Sequence, residues 1–416
     1  MSRSLSSYGM LRAFRHRDFA LFALGGWSSS MGLWVQRIAV AWLTWELTKS
    51  GTWLGIVAAA EAIPTIALIP FAGVIMDRFE RLTVARFIQI GGLLVSAILA
   101  LLTFAGWINA PLLAVLMIFS GATEAFWTPA RLTIAPNLVP REDLAAASSI
   151  GAIMFNLSRI FGPMISGVII HIAGPAPAFA FNAVSFGIFL IILFMIQLQQ
   201  QEQQSRRGTT VFGDLKDGIL YLMSQSSMLS LFLFMLAAAF CLRGYIELLP
   251  GFAEEVFDRG PGAFTILVSA SGIGAIVGAL YVGNRPGIAG LTSVVFLALL
   301  VQSVFQIAFS VTSIFWIAVG FSAVMGATIT VSGIGTQILF QNAVAGHMRG
   351  RVMSLWGLII RVAPALGTMA MGTLADFWGF QIPVLIGAVL YLVLWFVIAR
   401  RRERLAYDLE AAPPTS

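Results

Sequence analysis

The chain has 416 residues; 58% of them are apolar, only 11% carry a charge, and the mean hydropathy is +0.89. Soluble domains carry about 25% charged residues. This composition therefore excludes a water-soluble enzyme and indicates a protein whose surface contacts lipid. The single cysteine, Cys241, excludes an intrachain disulfide, and the net charge of +6 has to be explained by where the basic residues lie.

Apolar stretches long enough to cross about 30 Å of hydrocarbon recur along the whole chain. The sequence therefore predicts an all-α membrane protein with twelve transmembrane helices. In chain order they are expected near residues 19–46, 52–75, 84–105, 112–133, 145–171, 178–198, 228–250, 262–283, 289–310, 314–340, 353–375 and 383–399.

The placement of lysine and arginine predicts the orientation, because cytoplasmic loops are enriched in both. With the N-terminus inside, nineteen of the 25 basic residues lie in predicted cytoplasmic segments or, like Arg86 and Arg131, near the cytoplasmic ends of predicted spans. Only Lys49 and Arg259 fall in predicted outer loops. Both termini are therefore expected in the cytoplasm. The same asymmetry accounts for the positive net charge, so nucleic-acid binding is not needed to explain it.

A polar, glutamine-rich stretch separates the predicted spans into two groups of six. Its composition is typical of a solvated linker. The expected organisation is an N-terminal six-helix bundle over residues 1–198, a cytoplasmic linker over 199–218, and a C-terminal six-helix bundle with a short cytoplasmic tail over 219–416.

An internal repeat relates the two halves. At an offset of 205 positions, Gly162 coincides with Gly367 and Gly167 with Gly372. Two parallel, pseudo-symmetric halves with a site between them are typical of transporters. Chance coincidence of glycines is the alternative.

Charged side chains inside the predicted spans are candidate functional residues, because each costs at least about 2.5–3.5 kcal/mol in the membrane unless it is paired or hydrated. Structural ion pairs are the alternative. Arg159 and Arg361 lie in opposite halves and are candidates for charges between the two bundles. The candidates are Arg37, Glu61, Glu124, Arg159, Arg243, Glu247 and Arg361.

Glu61 and Glu124 are the candidates for proton coupling. A carboxylate that is shielded from water and close to an arginine can gain and lose a proton when its access to water changes. Arg37, Arg243 and Glu247, together with Glu124, are candidates for lining a substrate cavity, and the arginines favour an anionic group on the substrate.

Small residues and a proline suggest a hinge in the fifth span. Gly162 and Gly167 allow close approach of a neighbouring helix, and Pro163 removes one backbone hydrogen bond. Ordinary tight packing without a moving part is the alternative.

The loop after the second predicted span reads Gly-Val-Ile-Met-Asp-Arg-Phe-Glu-Arg from Gly73 to Arg81. It resembles the G-x-x-x-D-R-x-x-R signature of the major facilitator superfamily. In that family the loop holds the two halves together on the cytoplasmic side. The resemblance implies a gating role for Gly73, Asp77, Arg78 and Arg81.

Further segments are similar to one branch of the superfamily. They include Pro129-Ala130-Arg131 and the segment from Phe155 to Pro163. This branch contains bacterial siderophore exporters and macrolide-efflux proteins and is sometimes labelled transmembrane secretion effectors. The resemblance covers nearly the whole chain and is strongest in the first half.

The residues and the resemblance together predict a secondary active transporter that works by alternating access and exports an amphipathic or anionic small molecule against protons. Uptake or facilitated diffusion of an organic anion, a lipid flippase and a non-transporting membrane scaffold are the alternatives. The sequence has no nucleotide-binding P-loop and no metal-ligand spacing, so neither a cofactor, a metal nor an enzymatic activity is expected. The resemblance implies a monomer in a bacterial inner membrane, with the substrate, protons and lipids as its partners.

Overall fold

The structure is a computed structural model that describes residues 11–197, 211–346 and 348–411. These residues are almost entirely helical, which confirms the all-α class. Most of the predicted linker, residues 199–210, lies outside the described residues. The helices are α1 (Arg17–Thr48), α2 (Gly51–Arg78), α3 (Arg81–Phe104), α4 (Ala110–Ile134), α5 (Leu144–Ala173), α6 (Ala176–Met195), α7 (Val211–Ser224), α8 (Ser226–Arg243), α9 (Pro261–Gly283), α10 (Leu291–Val311), α11 (Phe315–Ala343), α12 (Arg349–Trp378), α13 (Gln381–Ala399) and α14 (Arg402–Glu410).

Predicted spans one to six correspond to α1–α6, and spans seven to twelve correspond to α8–α13. Within the described ranges, 11 helices are long and apolar enough to cross a membrane. The 32-residue helix α1 is not among them, because Gln36, Arg37 and a run of three serines dilute its apolar residues. The total of twelve spans and the orientation of the termini therefore stay predictions.

Local sequence determines where several of these helices begin and end. The Asn109 side chain accepts a hydrogen bond from the Leu112 amide at 2.9 Å, which caps the N-terminus of α4. Gly174 ends α5 at a φ of 79°, and Gly379 ends α12 at a φ of 76°. Such positive φ angles favour glycine, because it has no Cβ to clash with the backbone.

Internal contacts divide the described chain into two compact units. The first unit contains residues 11–47 and 60–197, and the second contains 48–59 and the described residues from 211 to 411. The division falls inside α2, so the beginning of this helix packs with the second unit. Aromatic rings fill both cores: Phe22 and Phe189 lie 5.6 Å apart in the first unit, and Phe234 stacks on Phe296 and Tyr391 at 4.9 and 5.3 Å in the second.

The two units place repeat-related glycines at equivalent helix contacts. A Cβ built on Gly121 of α4 would lie 2.0 Å from the Glu61 carbonyl oxygen of α2. At the offset of 205, a Cβ on Gly326 of α11 would lie 1.9 Å from the Ser271 carbonyl oxygen of α9. The fourth and second helices of one unit and their counterparts in the other therefore touch backbone to backbone. This equivalence supports the repeat over chance coincidence.

Candidate functional site

A cavity of about 410 Å³ lies within the first unit, between α1, α4 and α5. Its lining is mainly apolar, and its aromatic members include Phe22, Trp27, Trp127 and Phe155. Ring contacts hold part of this wall in place, because Trp127 and Phe22 pack edge-on against Phe189 with centroids 5.3 and 5.6 Å apart. Pockets of about 300–1,000 Å³ accept drug-sized ligands. The cavity therefore has the size and apolar lining for an amphipathic solute.

The half-buried side chain of Arg131, near the end of α4, lines the same cavity. Its Cζ atom lies 5.8 Å from the centroid of the Phe155 ring, which is a cation–π distance. Among the described side chains, Arg131 forms neither a salt bridge nor a hydrogen bond, and Glu124 is the acid whose charge acts on it. A cation in this position can attract an anionic group that enters the cavity.

A second cavity, of about 30 Å³, lies beside the first, and Ser30 and Trp127 line both. Eight of its fourteen lining residues are polar, and they include Gln89, Ser120 and Glu124. A polar cavity of this size has room for about two water molecules. Glu124 therefore lies between a water-sized polar space and the arginine of the aromatic cavity.

A buried hydrogen-bond network supports the small cavity. The Asn182 amide of α6 donates to Oε1 of Gln36 at 2.9 Å and to Oγ of Ser96 at 3.1 Å. Ser185 donates to Oδ1 of Asn182 at 3.0 Å. These bonds join α1, α3 and α6, and their satisfied polar groups fix the position of the cavity wall.

Glu61, the other predicted proton carrier, lies at the contact between α2 and α4. Thr65 donates one hydrogen bond to the Glu61 carbonyl at 2.8 Å and another to the Gly121 carbonyl at 2.9 Å. The Glu61 side chain is half-buried, and it lines neither of the two cavities described above. The structure thus places Glu124, and not Glu61, beside the cavities.

The predicted arginines of the first unit lie close to each other. The Cζ atom of the exposed Arg37 lies 5.6 Å from the Trp34 ring. Its charge repels that of the half-buried Arg159. Two neighbouring like charges favour a nearby anion or water.

The predicted residues of the second unit occupy α8, the turn after it, and α12. The Arg243 guanidinium donates to the Ile329 carbonyl at 3.3 Å and lines a cavity of about 10 Å³. Glu247 lies in the 3-10 turn Gly244–Leu248 that follows α8, and Arg361 is half-buried on α12.

The predicted gating loop is the short connection between α2 and α3. Arg78 ends α2 and is exposed, and Arg81 begins α3 and donates to the Thr133 carbonyl of α4 at 3.4 Å. Gly73 lies within α2, and the side chain of Asp77 lies outside the described set.

The predicted hinge of the fifth span packs tightly against α1. A Cβ on Gly162 would lie 2.4 Å from the Cβ of Trp34, and Ser166 donates to the Val35 carbonyl at 3.0 Å. Pro163 lies inside the helix and Gly167 is buried.

In the second unit, the Asp376 carboxylate near the end of α12 binds the beginning of α2. It accepts hydrogen bonds from the amides of Gly51 at 2.5 Å and Thr52 at 3.1 Å. The hydroxyls of Ser50 and Thr52 donate to it at 2.8 and 2.5 Å. Next to this cap, Lys49 donates to both carboxylate oxygens of Glu254 at 2.6 and 2.7 Å.

Sequence reasoning missed Trp127, Arg131 and Phe155 as site residues. The charge asymmetry of the sequence assigns Arg131 to the cytoplasmic side and indicates no further role for it. The available signal was the spacing of Trp127 and Arg131, because residues four apart share one helix face. Phe155 comes from another helix, and only the packing of α4 beside α5 places it there.

A family model described as transmembrane secretion effector matches residues 8–413. The staphyloferrin A transporter of Staphylococcus aureus is 26% identical over 89% of this chain and 90% of its own length. The putative bacilysin exporter BacE of Bacillus subtilis is 25% identical over 81% of this chain and 82% of its own. Macrolide efflux protein A of Streptococcus pyogenes is 23% identical over 90% of this chain and 94% of its own length.

A crystal structure of the nucleoside transporter NupG superposes with a TM-score of 0.76, covering 92% of this chain and 99% of that one at 13% identity. At this identity the likeness concerns the fold alone.

Proposed function

The chain belongs to the transmembrane secretion effector family, a group of multi-pass membrane transporters, and from this premise we propose that it exports an amphipathic small molecule from the cell. The observation that carries the proposal is its likeness, over most of its length, to proteins named for bacilysin export and macrolide efflux. The aromatic cavity of the first unit is consistent with such a solute, because its size and lining fit an apolar body.

The proposed energy source is the proton gradient. Glu124 is the favoured proton carrier, because it lines a polar cavity of water-sized volume. Glu61 remains the second candidate. Glu61 lies on α2, and its backbone touches α4 at Gly121, three residues before Glu124. Protonation of either glutamate is therefore proposed to act on the same contact between α2 and α4.

The remaining charged residues are assigned to solute binding and to the movement of the two halves. Arg37, Arg243 and Glu247 are proposed to contact polar groups of the solute. Arg159 and Arg361 are proposed to lie between the bundles, where their charges tolerate burial only if water or a counter-charge is present.

Alternating access is proposed to use the loop from Gly73 to Arg81 as a cytoplasmic gate and the segment around Gly162, Pro163 and Gly167 as a hinge. The domain limits proposed for the two bundles are 1–198 and 219–416. The proposed location is the bacterial inner membrane, with both termini in the cytoplasm, lipids as surroundings and a monomer as the working unit.

Transport by inverted membrane vesicles tests this function. Vesicles energised with NADH acidify inside, so an exporter that exchanges solute for protons accumulates labelled solute until a protonophore is added. The probes are staphyloferrin A, bacilysin and a macrolide, the compounds named in the relatives. Accumulation of at least one above vector-control vesicles is expected.

The variant Glu124→Gln is expected to abolish proton-driven accumulation, and Glu403→Gln, an exposed matched control on α14, is expected to leave it intact. Accumulation that survives the protonophore would remove the proton from the mechanism. Accumulation by right-side-out vesicles alone would assign uptake instead of export.

A further inference from the structure

The guanidinium of Arg131 is a charged group inside a mainly apolar cavity, a position that helix packing alone does not require. It is half-buried against the Phe155 ring and lines a cavity of about 410 Å³. A desolvated cation is stabilised by an acid, by water or by a ligand anion. Within the described part of the chain, no carboxylate forms a salt bridge with Arg131. The position therefore leaves its donors available to a group in the cavity.

The rest of the lining selects the body of that ligand. Phe22, Trp27, Trp127 and Phe155 line the cavity, and two of these rings, Phe22 and Trp127, pack against Phe189. Flat aromatic walls gain most from an aromatic or fused-ring ligand. A guanidinium binds a carboxylate through two parallel N–H donors.

From this geometry we infer that the first unit contains a binding site for an amphipathic carboxylate: the ring system lies among the aromatic walls, and the carboxylate is bound by Arg131. The inference deepens the proposed export function, because it names the chemical class that this cavity takes. It also identifies Arg131 as the residue that selects for a negatively charged group on the ligand.

Equilibrium dialysis in phosphatidylcholine nanodiscs tests the site without requiring transport. The probes are tritiated naphthalene-2-acetate and its neutral amide, which has nearly the same shape, and binding to empty nanodiscs is subtracted. Wild-type protein is expected to bind the acid about tenfold more tightly than the amide, since hydrogen bonds to a charged group contribute this much.

The variant Arg131→Gln is expected to bind acid and amide equally, with the affinity for the amide unchanged, because the aromatic walls are retained. The unchanged amide affinity also reports that the variant is folded. Arg131→Lys keeps the charge without the planar fork and is expected to recover part of the preference. Arg349→Gln, at an exposed arginine of the second unit, is expected to match wild type.

Equal binding of acid and amide by wild type, or a preference that survives Arg131→Gln, would overturn the site. If Arg131→Gln binds neither probe, Arg131→Lys decides: recovery of the preference supports the site, and its absence overturns it.

An anionic lipid headgroup has the same charge as the probe. Dialysis is therefore repeated in nanodiscs with phosphatidylglycerol. A loss of acid binding there that far exceeds the few-fold effect of surface potential would assign Arg131 to lipid and overturn the solute site.

The outcome is independent of the vesicle assay. Carboxylate-selective binding without solute movement would remove the export function and keep the site. Export of a solute without carboxylate-selective binding would keep the export function and remove the Arg131 site.

Discussion

Replacing Asp376 with alanine is expected to release the first turn of α2. The first amides of any helix lack partners within the helix, and a side chain at the N-terminus usually supplies one. Here the acceptor comes from α12. Asp376 receives two backbone amides, of Gly51 and Thr52, and two hydroxyls, of Ser50 and Thr52. Its negative charge is also favourable at a helix N-terminus.

The expected loss is about 2 kcal/mol. Removing a helix N-cap costs about 0.5–2 kcal/mol, and the upper end applies because four donors lose their acceptor at once. A larger figure is not expected, since Asp376 is exposed and water replaces part of what is lost. A loss of 2 kcal/mol corresponds to an opening of this turn that is about 30-fold more frequent. Asp376→Asn keeps one acceptor oxygen and should fall between alanine and wild type.

Hydrogen–deuterium exchange of the peptide covering the start of α2, measured in nanodiscs, reports this opening directly. Exchange of the Gly51 and Thr52 amides should rise about 30-fold in Asp376→Ala. Asp408→Ala removes another aspartate of the second unit, which accepts a hydrogen bond from Ser227, and should leave α2 unchanged. A rise of less than about threefold in Asp376→Ala, or an equal rise in the control, would refute the cap as the cause.

Three other changes have defined outcomes. Gly326→Ala should lower the free energy of unfolding by about 1–3 kcal/mol in thermal melts, because its Cβ would lie 1.9 Å from a backbone oxygen; Gly320→Ala, with no atom within 4 Å of its Cβ, should not. The hydrogen bond from His16, together with Arg12, holds the pKa of Asp143 below its usual range, so this carboxylate stabilises the fold above about pH 4 and the effect is lost as pH falls through the lowered pKa. Melts of Asp143→Asn should therefore show a smaller fall in stability from pH 7 to pH 3 than wild type. Asp77→Asn should slow vesicle transport without reducing the amount of inserted protein on immunoblots, and wild-type rates would count against a gate at this loop.

Most of the helices follow from the sequence because membrane spans are long apolar runs and local signals end them. The ends of the predicted span 84–105 differ from those of α3, Arg81–Phe104, by three residues and one residue. The predicted span 112–133 lies inside α4, Ala110–Ile134. Repeat-related glycines could also be found, since small residues mark helix contacts. These features depend on a few neighbouring residues or on a fixed offset.

The aromatic cavity and the cap on α2 could not be predicted in the same way. Arg131 falls near the end of the predicted span 112–133, where it looks like a charge at the membrane surface until Phe155 of α5 is seen beside it. The contact between Gly51 and Asp376 joins residues 325 positions apart, and no periodicity encodes it. Both features arise from tertiary packing, so neither composition nor charge asymmetry indicates them.

The charges of Glu124 and Arg131 together restrict how a proton can be exchanged for a solute. Glu124 acts on Arg131 with an opposite charge, so a proton on Glu124 strengthens the attraction of Arg131 for an anion. By linkage, a bound anion then favours the proton, and a carrier with this preference moves both in one direction. Exchange against protons requires instead a cationic group that competes for Glu124. A solute with a carboxylate bound to Arg131 and an amine close to Glu124 meets both requirements: it fits the charges of the cavity, and it competes with the proton for Glu124. Proton-driven export through this site therefore requires a zwitterion.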